Sequence, residues 1–150
     1  IKKKLVDLNY HKQFVGFNMK LLYVKICPFY KKHPDLYEPA CKVGITGHPE
    51  VRLGVYQNSY SHLNHTATFD YVWAGDTRNI NNIEKTLKTQ LDMSIEKDGR
   101  GHSEWITGSI GMVLEQINDT IEGYRYNVTP ISEEISIDNL NKLDLGVDKT

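Results

Sequence analysis

Lys42, Gly44, Arg52 and Tyr56 lie within the stretch Cys41 to Tyr56, CKVGITGHPEVRLGVY, and have the types and spacing to work on one charged ligand. Arg52 is a planar, permanently charged fork that matches a phosphate. A lysine ammonium close to a phenol favours phenolate, so Lys42 beside Tyr23 would turn a group with an ordinary pKa of about 10 into a base nearer neutral pH. Glu84 is a hard oxygen ligand suited to one Mg²⁺ or Mn²⁺, a cation that keeps most of its waters and polarises a phosphate. Hydrolysis of a phosphodiester needs these parts: an activated water, charge stabilisation on the phosphoryl oxygens and help for the departing oxygen. Each residue also has a plainer role. Tyr23 can be a half-buried sheet residue, Lys42 a charge that protects a sheet edge, Arg52 a surface helix residue, and Glu84 an ion-pair partner of Arg52 or Lys42.

The elements that must position these groups can be read around them. Lys42 to Thr46 is β-branched and apolar, Gly47-His48-Pro49 breaks it, and Pro49 with Glu50 suits the first turn of a helix. Arg52 and Tyr56 are then one turn apart on one helix face. Leu21 to Cys27 is a better strand, stopped by Pro28, and is expected to be central. The segment Pro28 to Pro39 reads as an irregular excursion, so the strands on either side form an antiparallel hairpin. In such a hairpin Tyr23 and Lys42 share a face only if paired residue numbers sum to an odd value, which sets Tyr23 opposite an even residue such as Gly44. The same parity puts Cys27 and Cys41 on opposite faces and argues against a disulfide.

Thr68 to Ala74 is predicted as a third strand, and about Asn79 to Ile95 as a helix with Ile80, Ile83, Leu87 and Leu91 at helical spacing. On that wheel Glu84 falls inside the apolar arc. His102 to Ile106 is a short extended piece, Trp105 is expected to pack in the core against the last helix, and that helix runs from about Ser109 to a cap near Gly123. Tyr124 to Val128 reads as a final strand or a return segment. His62 and His65 with Cys27 and Cys41 lack the close ligand pairs of a zinc site, so a polar loop is expected there. The fold class that follows is α+β, a small, mainly antiparallel three-stranded sheet flanked by helices. The chain divides into a basic arm at 1–20, a core domain at 21–128 and an acidic polar tail at 129–150.

With 39% hydrophobic and 25% charged residues in 150, the composition is that of one ordinary soluble domain. The net charge of −1 hides a gradient, with eight lysines against Asp7 in residues 1 to 34. Lys2, Lys3, Lys4, Lys31 and Lys32 are therefore the candidate polyanion contacts, with a solvated terminus as the alternative for the first three. No apolar run reaches the length of a membrane span and none resembles a signal peptide, so the expectation is a cytoplasmic protein without membrane contact.

The pattern of Tyr23, Lys42-Val43-Gly44, Arg52, Tyr56, Glu84 and the later pair Glu104-Trp105 resembles the GIY-YIG endonuclease superfamily, above all its phage and bacterial branch with lysine first in the second tripeptide. The first tripeptide reads Leu21-Leu22-Tyr23 here. The resemblance covers about Leu21 to Ile106. It implies a metal-dependent DNA endonuclease acting on double-stranded DNA, with Tyr23, Lys42, Arg52, Tyr56 and Glu84 as catalytic positions, Glu84 as metal ligand and Gly44 as the structural glycine. A domain of the same fold that binds DNA or protein without cutting is the alternative, and both a monomer and a homodimer are compatible with it.

Overall fold

The computed structural model describes residues 19–64, 66–90, 95–97, 105–131 and 134–140. Its centre is β1 (Met19–Ile26), whose aliphatic and aromatic run hydrogen-bonds on both edges. Pro28, with no N–H to donate, ends the strand and opens the five-residue helix α1 (Pro28–Lys32). The chain returns as β2 (Ala40–Thr46), antiparallel to β1, and Tyr23 stands opposite Gly44 as the odd sum requires. Thr46 Oγ1 accepts a 3.0 Å bond from the His48 N–H, which tightens the turn into α2 (Pro49–Ser59), where Pro49 and Glu50 occupy the first turn.

The expected third strand is divided. Thr68–Phe69 forms β3, and Tyr71–Asp76 forms β4 on the other edge of β1. Asp70 makes the break: its backbone N–H donates to Val24 O at 2.9 Å, while its carboxylate accepts from Ile26 N and from Lys31 Nζ, each at 2.6 Å. A residue that caps β1 in this way cannot also carry the ladder onward. Then come α3 (Thr77–Gln90), β5 (Ile95–Lys97), β6 (Ile106–Thr107), α4 (Ile110–Gly123), β7 (Val128–Ile131) and β8 (Ile135–Ser136).

The main sheet among the described residues has six strands in the order β5-β2-β1-β4-β7, with β6 also on β2; all pairs are antiparallel except β2 with β5. The three-stranded expectation is thus too small, because the added strands have two to four residues, too few to show a period. Helix α3 ends earlier than predicted, and Ile95 lies in β5. The described part of the expected tail, 129–131 and 134–140, joins the fold: β7 pairs with β4, β8 with β3, and Ile135 and Leu140 are buried. Of the basic arm, Met19 and Lys20 begin β1; Lys2, Lys3 and Lys4 lie outside the described residues.

Two cores result. Leu22, Val24, Val43 and Ile45 face Ile80, Ile83 and Leu87 of α3 and Val113 and Ile117 of α4. Leu21 and Tyr23 face Leu53 and Tyr56 of α2, with Phe69, Ile135 and Leu140. Ser109 caps α4 by accepting from Met112 N at 3.3 Å. No helix among the described residues is long and apolar enough to cross a membrane.

Candidate active site

Odd residues of β1 point to the core under α2, so the strand's alternation delivers Tyr23 there fully buried. Its ring stacks on Phe69, with centroids 4.1 Å apart, and its phenol shares a 3.1 Å hydrogen bond with the phenol of Tyr56. The ring also crosses β2 over Gly44, where an added Cβ would lie 2.5 Å from Tyr23 Cζ and Oη. A glycine at that register position is what gives the phenol its place.

Cations surround the Tyr56 ring. Lys25 Nζ stands 4.9 Å from its centroid, Arg52 Cζ 5.9 Å and Lys42 Nζ 6.0 Å. Arg52 and Tyr56 come from successive turns of α2 and are both buried. Lys42, half-buried on the Tyr23 face of β2, also lies 4.5 Å from the ring of Trp105. Tyr23, Lys42, Arg52 and Tyr56 are therefore brought together, with Tyr56 as the hub. A phosphate group would be drawn to the positive charges set around this phenol pair.

Lys25 was not among the expected site residues. It is 1% exposed, and its ammonium donates to Thr68 O at 3.1 Å. Burial, more than the neighbouring Lys31 and Lys42, lowers its pKa from 10.5 to about 8, with Asp70 opposing. The signal was present: residues two apart on a strand share a face, so Tyr23 and Lys25 had to point the same way.

Glu84 is 2% exposed, as its position on the helix wheel predicts, and comes from the helix over the other core, so it is not among the residues gathered around the Tyr56 ring. Its Oε1 lies 3.2 Å from Nζ of Lys88, one turn along and half-exposed. Among the described residues no three or more His, Cys, Asp and Glu stand together as a ligand cluster. The donor set is thus one hard carboxylate, which fits a cation that binds through one or two protein oxygens and completes its shell with water and phosphate.

Lys31 and Lys32, expected on the polyanion, already have duties. Lys31 Nζ pairs with Asp70 at 2.6 Å, and Lys32 Nζ donates to Leu63 O, which together tie α1 to the loops beside it. Trp105 does not pack against the last helix; its half-buried ring meets Tyr60 and the Lys42 ammonium. Cys27 and Cys41 are buried thiols outside any disulfide, and burial raises the Cys41 pKa to about 11, which keeps it protonated and inert. His65, His102 and Glu104 lie outside the described residues. No curated protein and no solved structure matches the chain. A family match covers residues 21–125, from Leu21 within β1 to just past the end of α4, and on it the chain belongs to the T5orf172 domain family, a nuclease-like family associated with phage.

Proposed function

We propose that this chain is a metal-dependent DNA endonuclease of the GIY-YIG type, hydrolysing phosphodiester bonds. The observation that carries the reading is the bonded phenol pair of Tyr23 and Tyr56 with Lys25, Lys42 and Arg52 around it. In this reading Arg52 holds the non-bridging oxygens of the scissile phosphate through its planar fork. Lys42, half-buried beside the Tyr56 ring, steers the backbone inward and would stabilise a phenolate formed there. The attacking water gives its proton to the phenol pair as its oxygen bonds to phosphorus, and the bond to the leaving sugar oxygen breaks. Glu84 would hold Mg²⁺ or Mn²⁺, with the half-exposed Lys88 ammonium swinging aside; the ion, when bound, supplies charge stabilisation for the phosphate and the departing oxygen. The full burial of Tyr23 favours the second reading, a domain that binds DNA or protein without cutting.

Supercoiled plasmid with purified protein separates the two. Nicking in Mg²⁺ or Mn²⁺ and none in EDTA is the expected result. Glu84→Gln should abolish nicking and spare DNA binding, and because it removes a buried charge the metal-free melting temperature should be equal or higher. Inertness with both metals across substrates, with binding intact, would establish the non-cutting module. A large loss of metal-free melting temperature in Glu84→Gln, with nicking retained, would remove the ligand role.

A further inference from the structure

Beyond the phenol pair the aromatic rings form a path from the site to the surface. Lys42 Nζ lies between two of them, 6.0 Å from the Tyr56 centroid and 4.5 Å from that of Trp105. Trp105 meets Tyr60 edge-on at 6.3 Å, Tyr60 meets Phe29 at 5.9 Å, and Phe29 meets Tyr37 at 5.5 Å. Trp105, Tyr60 and Phe29 are half-buried and Tyr37 is 46% exposed, whereas Trp73 in the apolar core is 6% exposed. A run of rings kept open to water is the pattern of a binding surface, since a run serving only as core would be covered. The Lys42 ammonium over Trp105 sets positive charge beside the rings and favours a polyanion over an apolar peptide.

We propose that Trp105, Tyr60, Phe29 and Tyr37 form a stacking track for the bases of an unpaired DNA strand whose backbone passes Lys42 into the phosphate site. This rests on the nuclease reading for the identity of the polyanion and adds the substrate class: DNA with a single-stranded stretch beside the bond to be cut. Every base has a π face, so aromatic rings bind single strands without reading sequence. In a duplex those faces are stacked on neighbouring pairs and only the edges are offered in the grooves. A track of rings beside a phosphate site therefore selects the unpaired strand.

Binding measured in EDTA by fluorescence anisotropy tests this without cleavage. The probes are an oligothymidylate, a strand of the same length with abasic sites in place of its bases, and a duplex of that length. The oligothymidylate should bind about tenfold or more tighter than the abasic strand, the effect of one or two stacked bases. Tyr37→Ala, at the outer end of the track, should weaken the oligothymidylate severalfold and leave the abasic strand unchanged, with an unaltered melting temperature. Trp105→Leu should do the same from the inner end. Equal affinity for oligothymidylate and abasic strand, equal losses on all three probes, or binding to none of them would overturn the track. Base-dependent binding without nicking in Mg²⁺ or Mn²⁺ would leave the track standing and remove the nuclease reading instead.

Discussion

The two faces of the central sheet are made by the same strands and hold different chemistry. On one, Leu22, Val24, Val43 and Ile45 meet aliphatic side chains of α3 and α4, and, Glu84 of α3 apart, burial there stabilises the fold without regard to direction. On the other, Tyr23 and Lys25 alternate with those same leucine and valine residues and are buried with Arg52, Tyr56 and Thr68. Buried polar groups are tolerated only with partners, so each of these is fixed by directed contacts: phenol to phenol, ammonium to carbonyl, ring over glycine. An apolar core can be repacked at modest cost, whereas a polar one depends on where each atom stands. A one-residue slip of β1 would exchange the two sets, which is why the register that sets Tyr23 on Gly44 matters to both.

The largest effect that separates the faces is expected in the apolar one. Ile117→Ala, fully buried on α4, should lower stability by about 2 to 5 kcal/mol and leave nicking per folded molecule near wild type. Denaturant titration beside plasmid nicking checks it, and a loss of chemistry that exceeds the loss of folded protein would show that the faces are not separable. Gly44→Ala should act in the opposite sense. The new methyl would overlap the Tyr23 ring, which Phe69 and Tyr56 prevent from moving freely, so about 1 to 3 kcal/mol is lost while nicking falls far more than stability. Full nicking by Gly44→Ala would mean that the Tyr23 phenol need not stand where it does.

The difference between the faces also explains what could be read from the sequence. Helix α3 was legible because fourteen residues repeat a period, and strand β1 from an aliphatic and aromatic run stopped by Pro28; the odd register was the condition for Tyr23 and Lys42 to share a face, and the pairing meets it. The buried arc containing Glu84 was legible from that same helical period. Strands β5, β7 and β8 were not, and β3 and β6 were read only as parts of longer extended segments, since two to four residues carry no period and their pairing is decided by distant segments. Asp70 passed as an ordinary strand residue because its bonds to Ile26 and Lys31 cross some forty positions of sequence. Lys31 and Lys32 were assigned to DNA by charge alone, yet hold Asp70 and the Leu63 carbonyl. Lys25 was passed over because a lysine in a strand is ordinarily at the surface.

Lys25 is the finest test of the comparison, for its net effect is small and changes sign with pH. Its ammonium faces the Tyr56 ring from α2, Asp70 beside β4, Lys31 from α1, Lys42 from β2 and the nearby Cys27. The folded pKa of about 8 lies below the 10.5 of an exposed lysine, so below pH 8 both states hold the proton and the folded state carries the whole burial penalty, on the order of 3 kcal/mol. Between about pH 8 and 10.5 the unfolded chain binds more protons, and wild-type stability rises with pH through this term. Lys25→Met removes the penalty and strands the Thr68 carbonyl, at a cost of about 1 to 3 kcal/mol. The variant should therefore be as stable as wild type or up to about 2 kcal/mol more stable at pH 7, and less stable than wild type by pH 10. Titrations common to both proteins cancel in the difference, which denaturant unfolding at pH 7, 8, 9 and 10 would follow. A difference that does not change with pH would mean that Lys25 is not held as a penalised charge, and the polar face would then be closer in kind to the apolar one than its side chains imply.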